Sequence, residues 1–181
     1  MVPGGPINLG QAYFLILDWF GAGLSGSIMG LECGTNRRLV LTNERTNVLV
    51  LCTGNSCRSQ MAEGFFRSLG DSKVATYSAG LTTHGLNPLA IKTMAKIGVD
   101  ISGQTSDALE KYLNDRFDYI ITVCDNAAEN CPVFPGDAKR LHWPFDDPAQ
   151  AVGSEEDRLL MFAKIRDAIG RQVREFLEEL S

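Results

Sequence analysis

The run NVLVLCTGNSCRSQMAEGFF, residues 47 to 66, is the feature that most narrows the folds open to this chain. Val48 to Leu51 form a short apolar, partly β-branched stretch bounded by turn residues, which predicts a buried strand of a parallel sheet. From Ser59 to Leu69 the apolar residues Met61, Ala62, Phe65, Phe66 and Leu69 recur at helical spacing, with Ser59 and Glu63 near the first turn. The segment between is a strand-to-helix loop. A helix start aims unpaired backbone N–H groups and a partial positive charge at it, so the loop is suited to an anion.

The alternation continues down the chain. Val74 to Ser78 read as a second strand, Pro88 to Ile97 as a helix closing at Gly98, and Ser106 to Leu113 as another helix. Tyr119 to Val123 read as the third strand, Cys124 to Gly136 as a loop, and Arg140 to Trp143 as a short fourth strand. A long amphipathic helix follows, with Ser154 and Asp157 as an N-cap pair and Phe162, Ile165, Ile169, Val173, Phe176 and Leu180 on one stripe. Strands alternating with helices predict an α/β fold, a doubly wound four-stranded parallel sheet flanked by helices. In such a sheet ligands bind beyond the carboxyl ends of the strands, where Cys52, Cys124 and the segment after Trp143 would meet.

Residues 1 to 45 differ from the rest, being rich in glycine and apolar residues and carrying few charges. They lack the basic start of a secretory signal. Asp18 interrupts the apolar run, and a central Asp costs about 2.5 to 3.5 kcal/mol against membrane insertion. They are expected to form a flexible extension outside the domain, which then spans 46 to 181. A net charge of -5 argues against general nucleic-acid binding, although a local anion site remains compatible with it. Five irregularly spaced cysteines in a chain of 181 residues do not make a disulfide framework. Reduced, chemically used thiols and a cytoplasmic location are the expectation.

Cys52 and Arg58 end the segment CTGNSCR, a C-x5-R arrangement whose backbone can curl around a tetrahedral oxyanion through Thr53, Gly54, Asn55, Ser56, Cys57, Arg58 and Ser59. Gly54 and Asn55 tolerate the left-handed angles of a tight cradle. Arg58 supplies a planar fork for two anion oxygens. Cys52, beside an arginine and a helix start, is expected to be a thiolate, with Ser59 able to donate to it. A thiolate attacking an oxyanion centre needs an acid for the departing oxygen, and HWPFDDPAQ offers Asp146 and Asp147 in a proline-bounded loop. Two aspartates before a proline are equally ordinary turn chemistry. His84 and His142 are each a candidate base or, more in keeping with their contexts, surface or packing residues; Cys57 reads as a bystander, and Cys33 lacks a strand leading into it. Cys124 and Cys131 suit a thiol relay, or else a core residue and an incidental one. Zinc is disfavoured, because no C-x2-C or nearby histidine spacing is present.

The segments VLCTGNSCRSQMAEG, YSAG, HGLNP, ITVCDNAAENCP and FDDPA together resemble thioredoxin-coupled arsenate reductases, which share their fold with low-molecular-weight protein tyrosine phosphatases. The likeness runs from about residue 46 to 181. It implies that Cys52 attacks arsenate held by the loop and Arg58 while Asp147 protonates the leaving hydroxide. It further implies that Cys124 and then Cys131 carry the resulting disulfide out to thioredoxin. Asn55, Glu63, Ser78 and Asp107 match positions that in some members surround potassium. No organic cofactor is implied, and a monomer is expected. The alternative is a low-molecular-weight protein tyrosine phosphatase, which would use Cys52, Arg58 and Asp147 alike. Ala149 counts against it, since the phosphatases resembled usually carry an aromatic residue there.

Overall fold

The computed structural model describes residues 45–70 and 72–180. The proposed extension over residues 1 to 45, including Cys33, therefore lies outside the described residues except for Arg45. Four strands, β1 (Thr46–Cys52), β2 (Val74–Gly80), β3 (Tyr119–Thr122) and β4 (Lys139–His142), form one sheet in the order β2-β1-β3-β4. Every pairing is parallel, as the alternation of strands and helices requires. Helices α1 (Arg58–Leu69), α2 (Pro88–Ala95), α3 (Asp125–Glu129) and α4 (Glu155–Glu179) supply the connections and the flanks.

β1 is a central strand covered on both faces, which is why Val48 to Leu51 are uniformly apolar and buried. Phe66 of α1 and Phe176 of α4 meet edge to face at 5.6 Å, and Trp143 beyond β4 closes on Phe176 at 5.8 Å. Burying side chains of this size contributes about 1.5–3 kcal/mol each. α1 and α4 approach so closely that a Cβ on Gly170 would lie 2.8 Å from the Phe65 ring. α4 begins at the expected place: the Ser154 hydroxyl accepts from the Asp157 N–H, and the Asp157 carboxylate accepts from the Ser154 N–H.

Two expectations fail. Residues 106 to 113 are not an α-helix; Ala108 bridges to Gly80 as an extended segment, and only Leu109–Tyr112 make a 3-10 turn. The Asp107 N–H is drawn to the Asn55 side chain at 2.7 Å, which holds the backbone out of a helix. The predicted loop after Cys124 contains the short helix α3, with the Cys124 carbonyl accepting from the Ala128 N–H. Its run Asp125, Asn126, Ala127, Ala128 combines an acidic helix start with the strongest helix former. Among the described residues no helix is long and apolar enough to cross a membrane.

Candidate active site

The sheet register brings the two cysteines together. Leu51 of β1 pairs with Thr122 of β3, so Cys52 and Cys124 emerge beside one another at the carboxyl edge. The Thr53 hydroxyl lies 3.3 Å from the Cys124 sulfur, bridging the anion loop and the second thiol. A cleft of about 460 Å³ opens here, lined by Cys52, Ser56, Arg58, Cys124, Asp147 and Ala149 among others. A larger hollow of about 1000 Å³ lies at the amino end of the strands near Asn47 and Lys139 and holds none of these groups.

Asn55 organises the loop. It is fully buried, and its φ of 43° is a left-handed value that asparagine tolerates better than most residues. The Asp107 N–H can only donate, so the atom it meets must be the Asn55 carbonyl oxygen Oδ1. That fixes the amide. Asn55 Nδ2 then donates to Ser59 Oγ at 3.0 Å and to Ser78 Oγ at 2.8 Å. The Ser59 hydroxyl, whose oxygen accepts from Asn55, also lies 2.8 Å from the Cys52 sulfur, placed to donate to it. The Asn55 backbone N–H donates to the same sulfur at 3.1 Å. Ser59 therefore serves the cysteine and not the helix start, whose N-cap is Cys57 without a side-chain bond.

Gly54 departs from its expected role. Its φ is not positive, and the constraint is space: a Cβ there would lie 2.6 Å from His84 Nδ1. His84, exposed as expected and with Nε2 3.2 Å from the Thr82 hydroxyl, packs over Gly54 and lines the cleft. His142 is also committed: Nε2 lies 3.1 Å from Asp125 Oδ1 and Nδ1 lies 2.9 Å from the Thr122 hydroxyl. Only the HGLNP and HWPF contexts hinted at either histidine, and neither the packing over Gly54 nor the pairing with Asp125 is written in local sequence.

Arg58 reaches from α1 to the segment after β4, donating to the Phe145 carbonyl at 3.0 Å and facing Asp147 at 3.4 Å. Asp147 makes the turn the sequence allowed and also lines the cleft. One carboxylate oxygen accepts from the Ala149 N–H as a turn cap, and the other faces Arg58 at the cleft. Asp146 does not line the cleft. Cys57 is buried, and loss of solvation pushes its thiol up to about 11. Burial also raises the half-buried Cys131, which Arg140 partly offsets.

The four residues proposed for potassium are contiguous and joined by hydrogen bonds. Asn55 Oδ1 accepts from Gln60 and Asp107, while Glu63 accepts from Ser78 and pairs with Arg67. Asp107 Oδ2 accepts from Thr105, Lys111 and Tyr112. Partial burial raises the Asp107 carboxyl, and these three hydrogen bonds outweigh it to hold the group below the usual range. The set as arranged forms a hydrogen-bonded buttress behind the anion loop, built from oxygen donors of the kind a hard cation takes. Among the described residues no cluster of three or more His, Cys, Asp or Glu is placed to hold a metal.

A parallel α/β sheet that ends in a C-x5-R loop, with a cysteine held by serine and backbone donors, defines a class of cysteine-dependent enzymes that handle oxyanions. The profile of the low molecular weight phosphotyrosine protein phosphatases matches residues 47–181, and the chain belongs to that family. The arsenate reductase of Shouchella clausii is 49% identical over 131 residues, 72% of this chain and 94% of the relative. That of Bacillus subtilis is 47% identical over 135 residues, 75% of this chain and 97% of the relative. Among solved structures, an arsenate reductase in the oxidized state superposes with a TM-score of 0.65 at 33% identity, covering 75% of this chain and 99% of the other. The tyrosine phosphatase Wzb from Escherichia coli K30, at 24% identity and a TM-score of 0.63 over 76% of this chain and 100% of the other, shares the fold.

Proposed function

We propose that this chain reduces arsenate to arsenite through Cys52, Cys124 and Cys131, with thioredoxin as the reductant. The observation that carries the reading is the second thiol, Cys124, held 3.3 Å from Thr53 on the rim of the same oxyanion loop. A phosphatase needs Cys52, Arg58 and Asp147 but has no use for it. The relatives named arsenate reductase support the same substrate.

In the first step the Cys52 sulfur, stabilised as an anion by the Ser59 hydroxyl and Asn55 N–H, attacks arsenic. Hydroxide leaves and takes a proton from Asp147, giving water and a thiol-arsenate adduct. The Arg58 fork and the free N–H groups at the start of α1 balance the charge on the remaining oxygens. Cys124 then attacks the Cys52 sulfur. The S–S bond forms, the S–As bond breaks, and its electron pair stays on arsenic as arsenite. Cys131 next attacks Cys124 and releases Cys52 as a thiolate.

This last step requires motion. Six residues separate the two cysteines, five of them in α3, and no disulfide joins Cys124 to Cys131 across that helix in the resting fold. In this reading α3 unwinds to bring the two thiols together, which its five residues make inexpensive. The new disulfide would face solvent, where the thioredoxin dithiol takes it.

The test is NADPH consumption with arsenate, thioredoxin and thioredoxin reductase, comparing the parent with Cys131→Ser. Arsenate-dependent turnover that collapses in the variant is expected. Hydrolysis of an aryl phosphate by both proteins, with no arsenate-dependent NADPH consumption by the parent, would overturn the reading in favour of a phosphatase.

A further inference from the structure

Arg140 and Cys131 converge on one atom. Arg140 Nη2 donates to the Pro132 carbonyl oxygen at 2.6 Å, and the Cys131 thiol donates to the same oxygen at 3.7 Å. The carbonyl thus holds the guanidinium beside the thiol while the thiol is protonated. Loss of that proton converts the sulfur from a donor into an acceptor, which the remaining N–H groups of the guanidinium can satisfy. We propose that Arg140 is a positioning residue for the last thiol exchange, anchored on the Pro132 carbonyl so as to stabilise the Cys131 thiolate that attacks Cys124. The inference rests on the relay described above.

The surroundings single this residue out. Ionisable side chains on the neighbouring elements are Asp125 and Glu129 of α3, Asp137 before β4, and Lys139, Arg140 and His142 of β4. Asp125 is paired with His142, and Lys139 lies over the Tyr119 ring at 5.5 Å. Arg140 is the charged group that acts on the thiol, opposing the effect of its burial. The chemistry is balanced. Cys131 loses its proton to water, the Cys131–Cys124 bond forms as the Cys124–Cys52 bond breaks, and Cys52 departs with the electron pair. No electrons leave the protein in this step.

Arg140 is exposed, so water and salt moderate its effect. Cys131 alkylation is to be followed across pH by peptide mass spectrometry in the full chain, at low and high salt. In Arg140→Gln the midpoint is expected to rise by about 0.5 pH unit, a roughly threefold slower alkylation at pH 7. Arg140→Lys should recover part of this, and 0.5 M salt should shrink it. Lys139→Gln removes the same charge one residue away and should leave the profile in place, which separates a local from a general charge effect. Rapid-quench trapping of the Cys124–Cys131 disulfide after arsenate addition should show the same roughly threefold delay at pH 7, vanishing at a pH where Cys131 is ionised in both proteins. Superimposable alkylation profiles for the parent and Arg140→Gln would overturn the proposal. Turnover that survives Cys131→Ser would instead overturn the relay, an outcome the alkylation profile does not depend on.

Discussion

Replacing Asn55 by alanine should unfold the chain at markedly lower denaturant. Asn55 is fully buried and its side chain makes four of the hydrogen bonds that define the loop. Truncation leaves the Asp107 N–H without a partner, which costs about 1–3 kcal/mol. Ser59 and Ser78 each lose a donor while keeping the bond they give, about 0.5–1.5 kcal/mol apiece. Holding alanine at a left-handed φ of 43° adds about 1 kcal/mol. The effects are not fully additive, so the expected loss is about 3–5 kcal/mol. With a urea dependence of about 2 kcal/mol per molar, the midpoint should fall by about 2 M. Asn55→Gly removes the side chain without the backbone strain and should retain about 1 kcal/mol relative to alanine. A fall below about 0.5 M for Asn55→Ala would refute the reasoning, because the network would then add little beyond what water supplies.

Two further outcomes follow from the same buttress and its rim. Burial raises the Glu63 carboxyl above its ordinary value, outweighing the opposing hydrogen bond from Ser78 and the charge of Arg67. The folded state then binds more protons than the unfolded one, so this contribution is fully present below about pH 4.5 and is lost as pH rises through the folded value. Unfolding free energies should show Glu63→Gln gaining on the parent as pH increases through that window; a constant difference would sink the argument. Gly54→Ala should be mild, since its backbone is not left-handed and the nearest atoms in the way belong to the exposed His84 ring, whose Nε2 lies 3.2 Å from the Thr82 hydroxyl. A thermal midpoint within about 4 °C of the parent is expected, and a loss beyond about 8 °C would mean that the ring cannot move aside.

The parts of this molecule that were legible in its sequence are those decided by neighbours along the chain. β1, the anion loop and α1 follow from an apolar run, a C-x5-R segment and a helical stripe, and the capping box of α4 from Ser154 and Asp157. What was not legible is decided across the fold. Ala108 carries no local reason to be extended; the segment is held out of a helix because Asn55 accepts the Asp107 N–H from 52 residues away. Gly54 reads as conformational freedom until the His84 ring is seen above it. Glu63 reads as a helix-start acid or a cation ligand, yet it ends a chain of donors that runs from Asn55 through Ser78. The same division explains the thiols. Spacing makes Cys52 and Arg58 a pair, but the nearness of Cys124 to them comes from the parallel register that sets Leu51 opposite Thr122. A one-residue slip of β3 would exchange Ile120 and Ile121, both buried, between the two packed faces of the sheet and carry Cys124 off the cleft. The apolar faces that hold the sheet together therefore also hold the second thiol at the oxyanion loop.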